Sequence, residues 1–269
     1  MVWRCFSVMR WAVQGGTKQI WDVDQFESPP LPMAVRYGMD SAKILIAARV
    51  CSVTDFAARR MMMVDTQVRP SDVTKFPIID AMLAVPREAF VPEGLGEAAY
   101  VGENLAIGGG RTMLDPRTLA KLLDALEIAK TDIVMDIACG LGYSTALLAR
   151  MSEFVVGIES DEQLAARAQA NLTTLGADNA VISHGLLSEG AEKSGPYDII
   201  VLQGAVENVP ASITDQLRDG GRIGAIFADG NLGVVKIGHK CGDAINWRYS
   251  FNASAPVLAG FKNAAAFSL

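Results

Sequence analysis

Two acidic residues at the ends of apolar runs, with a glycine-bearing turn between them, are the groups in this chain best placed to do chemistry. The run Asp136-Ile137-Ala138-Cys139-Gly140-Leu141-Gly142-Tyr143 follows a strand-like segment, Ile133 to Ile137, and opens a helix-like one, Ser144 to Met151. Glycines between a strand and a helix let the backbone turn sharply and approach a ligand closely. Glu159 ends the next apolar run, Phe154 to Ile158. An acid at that point can take both hydroxyls of a ribose, so these features predict a pocket for an adenosine-containing cofactor.

The choice of cofactor turns on the details. Nicotinamide-binding turns use G-x-G-x-x-G, and here the third glycine position is Thr145. Asp136 lies four residues before Gly140, where it can hold the ammonium-bearing methionine part of S-adenosyl-L-methionine, directly or through water. The seventeen-residue step from Gly142 to Glu159 suits the ribose acid in either fold, and Leu217 to Ile223, a helix end turning tightly into a strand, is habitual in methyltransferases. S-adenosyl-L-methionine is therefore the expected cofactor, held by Asp136, Ala138, Cys139, Gly140, Gly142, Tyr143, Glu159 and Ser160. Cys139 reads as a small packing residue, since nothing nearby in sequence would lower its pKa. His184 and His239 read as structural or exposed. No catalytic side chain is assigned and no metal is expected.

These residues need elements to position them. Phe76 to Ala84 reads as a short amphipathic helix with Phe76, Ile79 and Leu83 on its apolar face, ended by Pro86. Gly108-Gly109-Gly110 is a hinge or close-approach loop. Asp115 is a plausible N-cap for a helix beginning at Pro116, with Leu119, Leu122, Leu123 and Leu126 on its apolar side. Asp161 caps a helix with the stripe Leu164, Ala168, Leu172 and Leu175, closed by Gly176. Ala180 to Ser183, Ile199 to Leu202 and Ile223 to Ala228 supply further strands. Pro210 starts the helix between the last two, and Asp219-Gly220-Gly221 is its terminating turn. This alternation predicts an α/β fold: a doubly wound, mostly parallel seven-stranded sheet of Rossmann-like type, with antiparallel strands formed by the tail beyond Gly233.

The chain has 269 residues, half of them hydrophobic, and a net charge of −6, which argues against a general nucleic-acid binder. Four scattered cysteines without a C-x-x-C pair support neither a zinc site nor a disulfide framework. No apolar run approaches the roughly 20 residues of a membrane span, so a soluble, cytoplasmic monomer is expected, with no membrane partner. Residues 1–52 differ from the rest: three of the four tryptophans fall in the first 21 positions, and Pro29, Pro30 and Pro32 interrupt any regular element. Residues 1–60 carry a net +3. The expectation is a poorly ordered extension over 1–52, a start-site artefact with Val53 or Met61 to Met63 as later starts, ahead of a single domain over 53–269.

From Val64 to Phe261 the sequence resembles the protein-L-isoaspartate O-methyltransferase family. Pro86-Arg87-Glu88-Ala89-Phe90-Val91-Pro92 is similar to the family's P-R-x-x-F-V-P. Ala99-Tyr100, Leu105 to Gly108 and Thr112 to Pro116 resemble its A-Y, L-P-I-G and T-I-S-Q-P segments, and Gly195 to Val201 its A-P-Y-D-x-I-I. The resemblance implies the class I methyltransferase fold, S-adenosyl-L-methionine as methyl donor, and a protein or peptide substrate methylated on the α-carboxylate of isoaspartate. It also implies a substrate loop at Thr112, Leu114, Asp115 and Pro116, and an adenine contact at Gly185 and Leu186. Leu114 stands where the family has serine, Asp115 where it has glutamine, and Leu186 where it has an acid. Two other readings therefore stay open: a methyltransferase with a changed acceptor, and a cofactor-binding module without chemistry.

Overall fold

The computed structural model describes residues 56–230 and 232–263. The extension over 1–52 lies outside the described residues. Residues 56–63 are helical and continue into a π-helical turn, Val64–Val68. Five α-helices follow: α1 (Phe76–Ala84), α2 (Pro116–Ala125), α3 (Tyr143–Met151), α4 (Glu162–Leu175) and α5 (Ala211–Thr214). Strands β1 (Leu105–Gly108) and β2 (Arg111–Met113) form a separate antiparallel hairpin. The main sheet is built from β3 (Ile133–Ile137), β4 (Phe154–Glu159), β5 (Ala180–His184), β6 (Tyr197–Val206), β7 (Leu217–Asp229), β8 (Leu232–Cys241) and β9 (Ala244–Asn252).

Its strand order is β5-β4-β3-β6-β7-β8-β9, parallel from β5 through β7 and antiparallel for β8 and β9. This is the expected seven-stranded α/β sheet with antiparallel C-terminal strands. Successive residues feed opposite faces, as the two-residue period of a strand requires. Val134, Val155, Ile199 and Val201 join one core with α1 to α4, while Met135, Ile137, Val156, Ile158, Ile200 and Leu202 join a second with Ile213, Leu258 and Phe261. All ten residues of β6 are buried, as a central strand covered on both faces requires, and its apolar run is Ile199 to Leu202. The crossover between β3 and β6 in the sheet order opens a crevice at the carboxyl ends of these strands, where open α/β sheets bind ligands.

Asp115 caps α2 by accepting from the Thr118 amide at 2.9 Å, and Asp161 caps α4 by accepting from Gln163 and Leu164 at 2.9 and 3.0 Å. Both caps were legible in the sequence. Two other expectations need correction. Phe76 is 77% exposed and Leu83 36%; the buried side of α1 is Ile78, Ile79, Ala81 and Met82. Phe76 occupies the first helical position, next to Pro77, so the face is set by the residues behind it. Asp219-Gly220-Gly221 does not end a helix. The helix from Pro210 stops at Thr214, and residues 218–221 bulge within β7, between the Leu217–Tyr197 and Arg222–Ile199 pairings, with Gly220 at φ 77°. Among the described residues no helix is long and apolar enough to cross a membrane.

Candidate active site

The turn after β3 takes its shape from three left-handed residues: Ala138 at φ 63°, Gly140 at 58° and Gly142 at 92°. The amides of Ala138 and Cys139 both donate to the Ile158 carbonyl, at 2.9 and 3.2 Å, which ties the turn to the end of β4. Glycine accepts such a backbone freely, but at Ala138 the Cβ meets the following carbonyl, so the alanine is strained. Gly142 sits at the N-cap of α3 and lies against Ala168 of α4. Cys139 is buried, and burial, reinforced by the nearby Asp136 and Glu159 carboxylates, pushes its thiol pKa well up. It packs; it is not poised as a nucleophile.

Asp136 is completely buried. One carboxylate oxygen accepts from Ser144 Oγ at 2.6 Å and Thr145 Oγ1 at 2.7 Å, and the other accepts from Gln203 Nε2 at 2.8 Å. Burial raises its pKa from 3.8 to about 6; the three donors pull it down, and Glu159 adds to the rise. Asp136 therefore lies one layer behind the crevice and reaches it through Ser144 and Gln203.

Glu159 is also fully buried, but its environment is rich in donors. The amides of Ser160 and Asp161 donate to Oε1 at 2.7 and 3.1 Å, and that of Gly140 to Oε2 at 3.0 Å. Arg111, 5% exposed, completes the set: Nε lies 3.0 Å from each carboxylate oxygen, Nη2 2.9 Å from Oε1, and Nη2 donates to Ser160 Oγ at 2.6 Å. Arg111 comes from the β1–β2 hairpin, which folds over the turn. The Ile107 side chain occupies the space that a Cβ on Gly140 would need. Between the hairpin and the turn lies a cavity of ≈ 20 Å³, room for about one water, bordered by Thr112, Leu114, Cys139, Tyr143, Ser144 and Gln203.

The expected substrate loop lies on the same hairpin and its exit. Thr112 is half-buried in β2, while Leu114 is 1% exposed. Asp115 is engaged at both ends, its side chain capping α2 and its amide donating to Asn104 Oδ1 at 2.9 Å. Its carboxylate is thus a structural cap. Pro116 is buried at the first turn of α2. On the opposite side, the Gly185 amide donates to the Glu159 carbonyl at 3.0 Å, and Leu186 is 60% exposed. His184 is exposed, with ring Nε2 3.2 Å from the Ser160 carbonyl.

Arg87 is 0% exposed and reaches two carbonyls, Ala99 at 2.6 Å through Nε and Leu114 at 2.7 Å through Nη2. Its guanidinium carbon lies 4.7 Å from the Tyr143 ring centroid, and Phe90 meets the same ring edge-on at 5.8 Å. The P-R-x-x-F-V-P segment therefore clamps the hairpin exit to the turn after β3. Burial lowers the Arg87 pKa and raises that of Tyr143. Arg87 Nη1 and Tyr143 Oη make no hydrogen bond of good geometry, and the two side chains interact mainly with each other.

The family model for Protein-L-isoaspartate(D-aspartate) O-methyltransferase matches residues 59–242. The chain belongs to this family. It is similar to a protein-L-isoaspartate O-methyltransferase of Koribacter versatilis, 36% identical over 171 residues, which cover 64% of this chain and 77% of that protein. One from Vibrio parahaemolyticus is 31% identical over 183 residues, covering 68% and 88%. Among solved structures, a protein-L-isoaspartate O-methyltransferase superposes with a TM-score of 0.68 at 23% identity, over 75% of this chain and 66% of that one. A Plasmodium falciparum structure named as a candidate member of the family, in complex with S-adenosyl-L-homocysteine, gives a TM-score of 0.63 at 20% identity, over 76% and 97%. These two likenesses speak for the fold.

The structure gathers Asp136, Ala138, Cys139, Gly140, Gly142, Tyr143, Glu159, Ser160 and Gly185 at the carboxyl ends of β3 to β5, with Ala138, Cys139 and Tyr143 lining the cavity and Asp136 behind it, and leaves Leu186 at the surface. Four participants were not singled out from the sequence: Ser144, Thr145, Gln203 and Arg111. Gln203 had a signal, a polar residue one step past the apolar run Ile199 to Leu202, on a strand paired with β3. Ser144 and Thr145 had the signal of two hydroxyls opening a helix eight and nine residues after an acid. Arg111 had none, because its partner lies 48 residues away on another element.

Proposed function

We propose that this chain is an S-adenosyl-L-methionine-dependent methyltransferase that esterifies the isoaspartyl carboxylate of damaged proteins. The observation that carries this reading is Glu159: a buried carboxylate held by three backbone amides beside a left-handed turn, in a chain whose residues 59–242 match the isoaspartyl methyltransferase family. Its fixed position at the end of β4 suits the paired hydroxyls of a ribose. The donor, when bound, supplies a methyl on a cationic sulfur: a carboxylate oxygen takes the methyl carbon, the C–S electron pair stays on sulfur, and no proton moves.

No general base is then required, and the absence of a poised histidine is in keeping with the reaction. The residues' work is alignment. Glu159 and the turn amides would hold the nucleoside. Asp136, acting through Ser144 and Gln203, would hold the ammonium end, and the Tyr143 ring would line the pocket. The curated relatives above carry the name protein-L-isoaspartate O-methyltransferase, which supports a protein or peptide acceptor. The net charge of −6 is in keeping with a chain that is not a general nucleic-acid binder. The test is transfer of a labelled methyl group to an isoaspartyl peptide and to the same peptide with ordinary aspartate. Labelling of the first alone is expected; labelling of neither, with the donor bound, would overturn the assignment of the acceptor.

A further inference from the structure

We infer that Arg111 is the residue that receives the acceptor's carboxylate, and that cofactor binding delivers it by taking Glu159 from it. This rests on the function proposed above. In the structure Arg111 and Glu159 form a close ion pair, with Nε 3.0 Å from both carboxylate oxygens and Nη2 2.9 Å from Oε1. The pair occupies the position where a ribose must bind. The nucleoside hydroxyls and the guanidinium are donors to the same two oxygens, so one set displaces the other.

The exchange leaves Glu159 well served, because the amides of Gly140, Ser160 and Asp161 still donate to it. Arg111 keeps the Ser160 hydroxyl, 2.6 Å from Nη2, but loses the carboxylate that balances its charge. The other acids nearby are already at work: Asp136 holds Ser144, Thr145 and Gln203, Asp161 caps α4 by accepting the amides of Gln163 and Leu164 on Oδ1, and Asp115 caps α2 by accepting that of Thr118 on Oδ1. A guanidinium released among them, on a strand that is 5% exposed at this residue, needs an anion from outside. A substrate carboxylate is that anion, and the planar fork of arginine binds one bidentately.

The same hairpin supplies the reason for the assignment. Leu114 is apolar, 1% exposed and unable to donate, and Asp115 is spent as a helix cap, so the loop expected to grip the acceptor offers only the Thr112 hydroxyl. Arg111 precedes these residues on β2 and restores the missing donor with a full charge. As the ester forms, the acceptor's negative charge disappears, so a cation that holds it favours the bound ground state at least as much as the transition state. Loss of Arg111 should therefore appear in KM more than in kcat.

The experiment is calorimetric titration of the full chain with S-adenosyl-L-homocysteine and with an isoaspartyl peptide, each alone and in the presence of the other, for the wild type and Arg111→Gln. Removing the competitor for Glu159 should tighten S-adenosyl-L-homocysteine binding about tenfold, as expected when a closed state no longer taxes the open one. In the wild type, S-adenosyl-L-homocysteine should raise peptide affinity, and Arg111→Gln should abolish that coupling and raise KM about tenfold or more, with kcat nearly unchanged. Unchanged or weaker S-adenosyl-L-homocysteine binding by Arg111→Gln overturns the inference. So does peptide affinity in the wild type that ignores S-adenosyl-L-homocysteine, a measurement that needs no variant to fold. A wild type that binds no peptide under any condition counts instead against the isoaspartyl acceptor, and is told apart because the S-adenosyl-L-homocysteine titration uses no acceptor.

Discussion

Asp136 shows how a single side chain trades stability for a binding site. Burial lifts its carboxyl from 3.8 to about 6, so between these values the folded state keeps a proton that the unfolded state has released. Stability therefore falls as pH rises through that window, by an amount on the order of 3 kcal/mol once the group is ionised. Asp136→Asn should be more stable than the wild type at about pH 7.5 and gain little at about pH 4, as read from urea unfolding at both values; a difference that stays constant with pH contradicts the assignment. The same variant should bind S-adenosyl-L-homocysteine more weakly. Ala138 makes a second case. Its φ of 63° is strained for an alanine by roughly 1–2 kcal/mol, partly offset by the flexibility glycine brings to the unfolded chain. Ala138→Gly should raise the melting temperature by about 1–3 °C, and a lower one would show that the turn does not hold that conformation. The acids at 136 and 159 and the turn between them were legible because strand ends and glycines mark themselves in sequence. Arg111 was not, since its meaning comes from a partner on another element.

At the scale of elements, the β1–β2 hairpin is the moving part that the account requires. It carries Ile107 against Gly140 and Arg111 onto the Glu159 carboxylate, where the ribose would have to bind. Arg87 is its anchor, bonding the carbonyls of Ala99 and Leu114 on either side of the hairpin while its guanidinium stacks on Tyr143. Arg87→Met removes both bonds and leaves two acceptors buried, which should cost about 2–4 kcal/mol of unfolding free energy. Stability within 0.5 kcal/mol of the wild type by denaturant titration would show that the clamp is idle. The strands and the two aspartate caps could be read in advance because their periodicity and cap chemistry are local. The four-residue bulge at 218–221 could not: Asp219-Gly220-Gly221 suits a helix-ending turn equally well, and only pairing with β6 decides. Phe76 was misassigned because a helix of nine residues gives the period too few turns to define a face.

Over the whole molecule, the sheet order puts β3, β4 and β6 side by side, so that Asp136, Glu159 and Gln203 meet although they are far apart in sequence. The segment after β9 closes this arrangement beyond the 59–242 match. Leu258 donates its amide to the Ala205 carbonyl at 2.8 Å, Glu207 donates to the Phe261 carbonyl at 2.9 Å, and both Leu258 and Phe261 are buried against the end of β6. Gly204 has no side chain because Leu258 lies where one would be. A chain ending at Ala255 should lose about 3–6 kcal/mol from these two side chains alone, and thermal melting of the shortened protein checks this. The central claim is that the crevice at the carboxyl ends of β3 and β4 holds the nucleoside of a methyl donor on Glu159. Titration of the full chain with S-adenosyl-L-homocysteine, beside Glu159→Ala, tests it most directly. One molecule bound per chain, with binding lost in the variant, is the predicted result; no heat and no change in melting temperature at saturating S-adenosyl-L-homocysteine, or equal binding by Glu159→Ala, would contradict it.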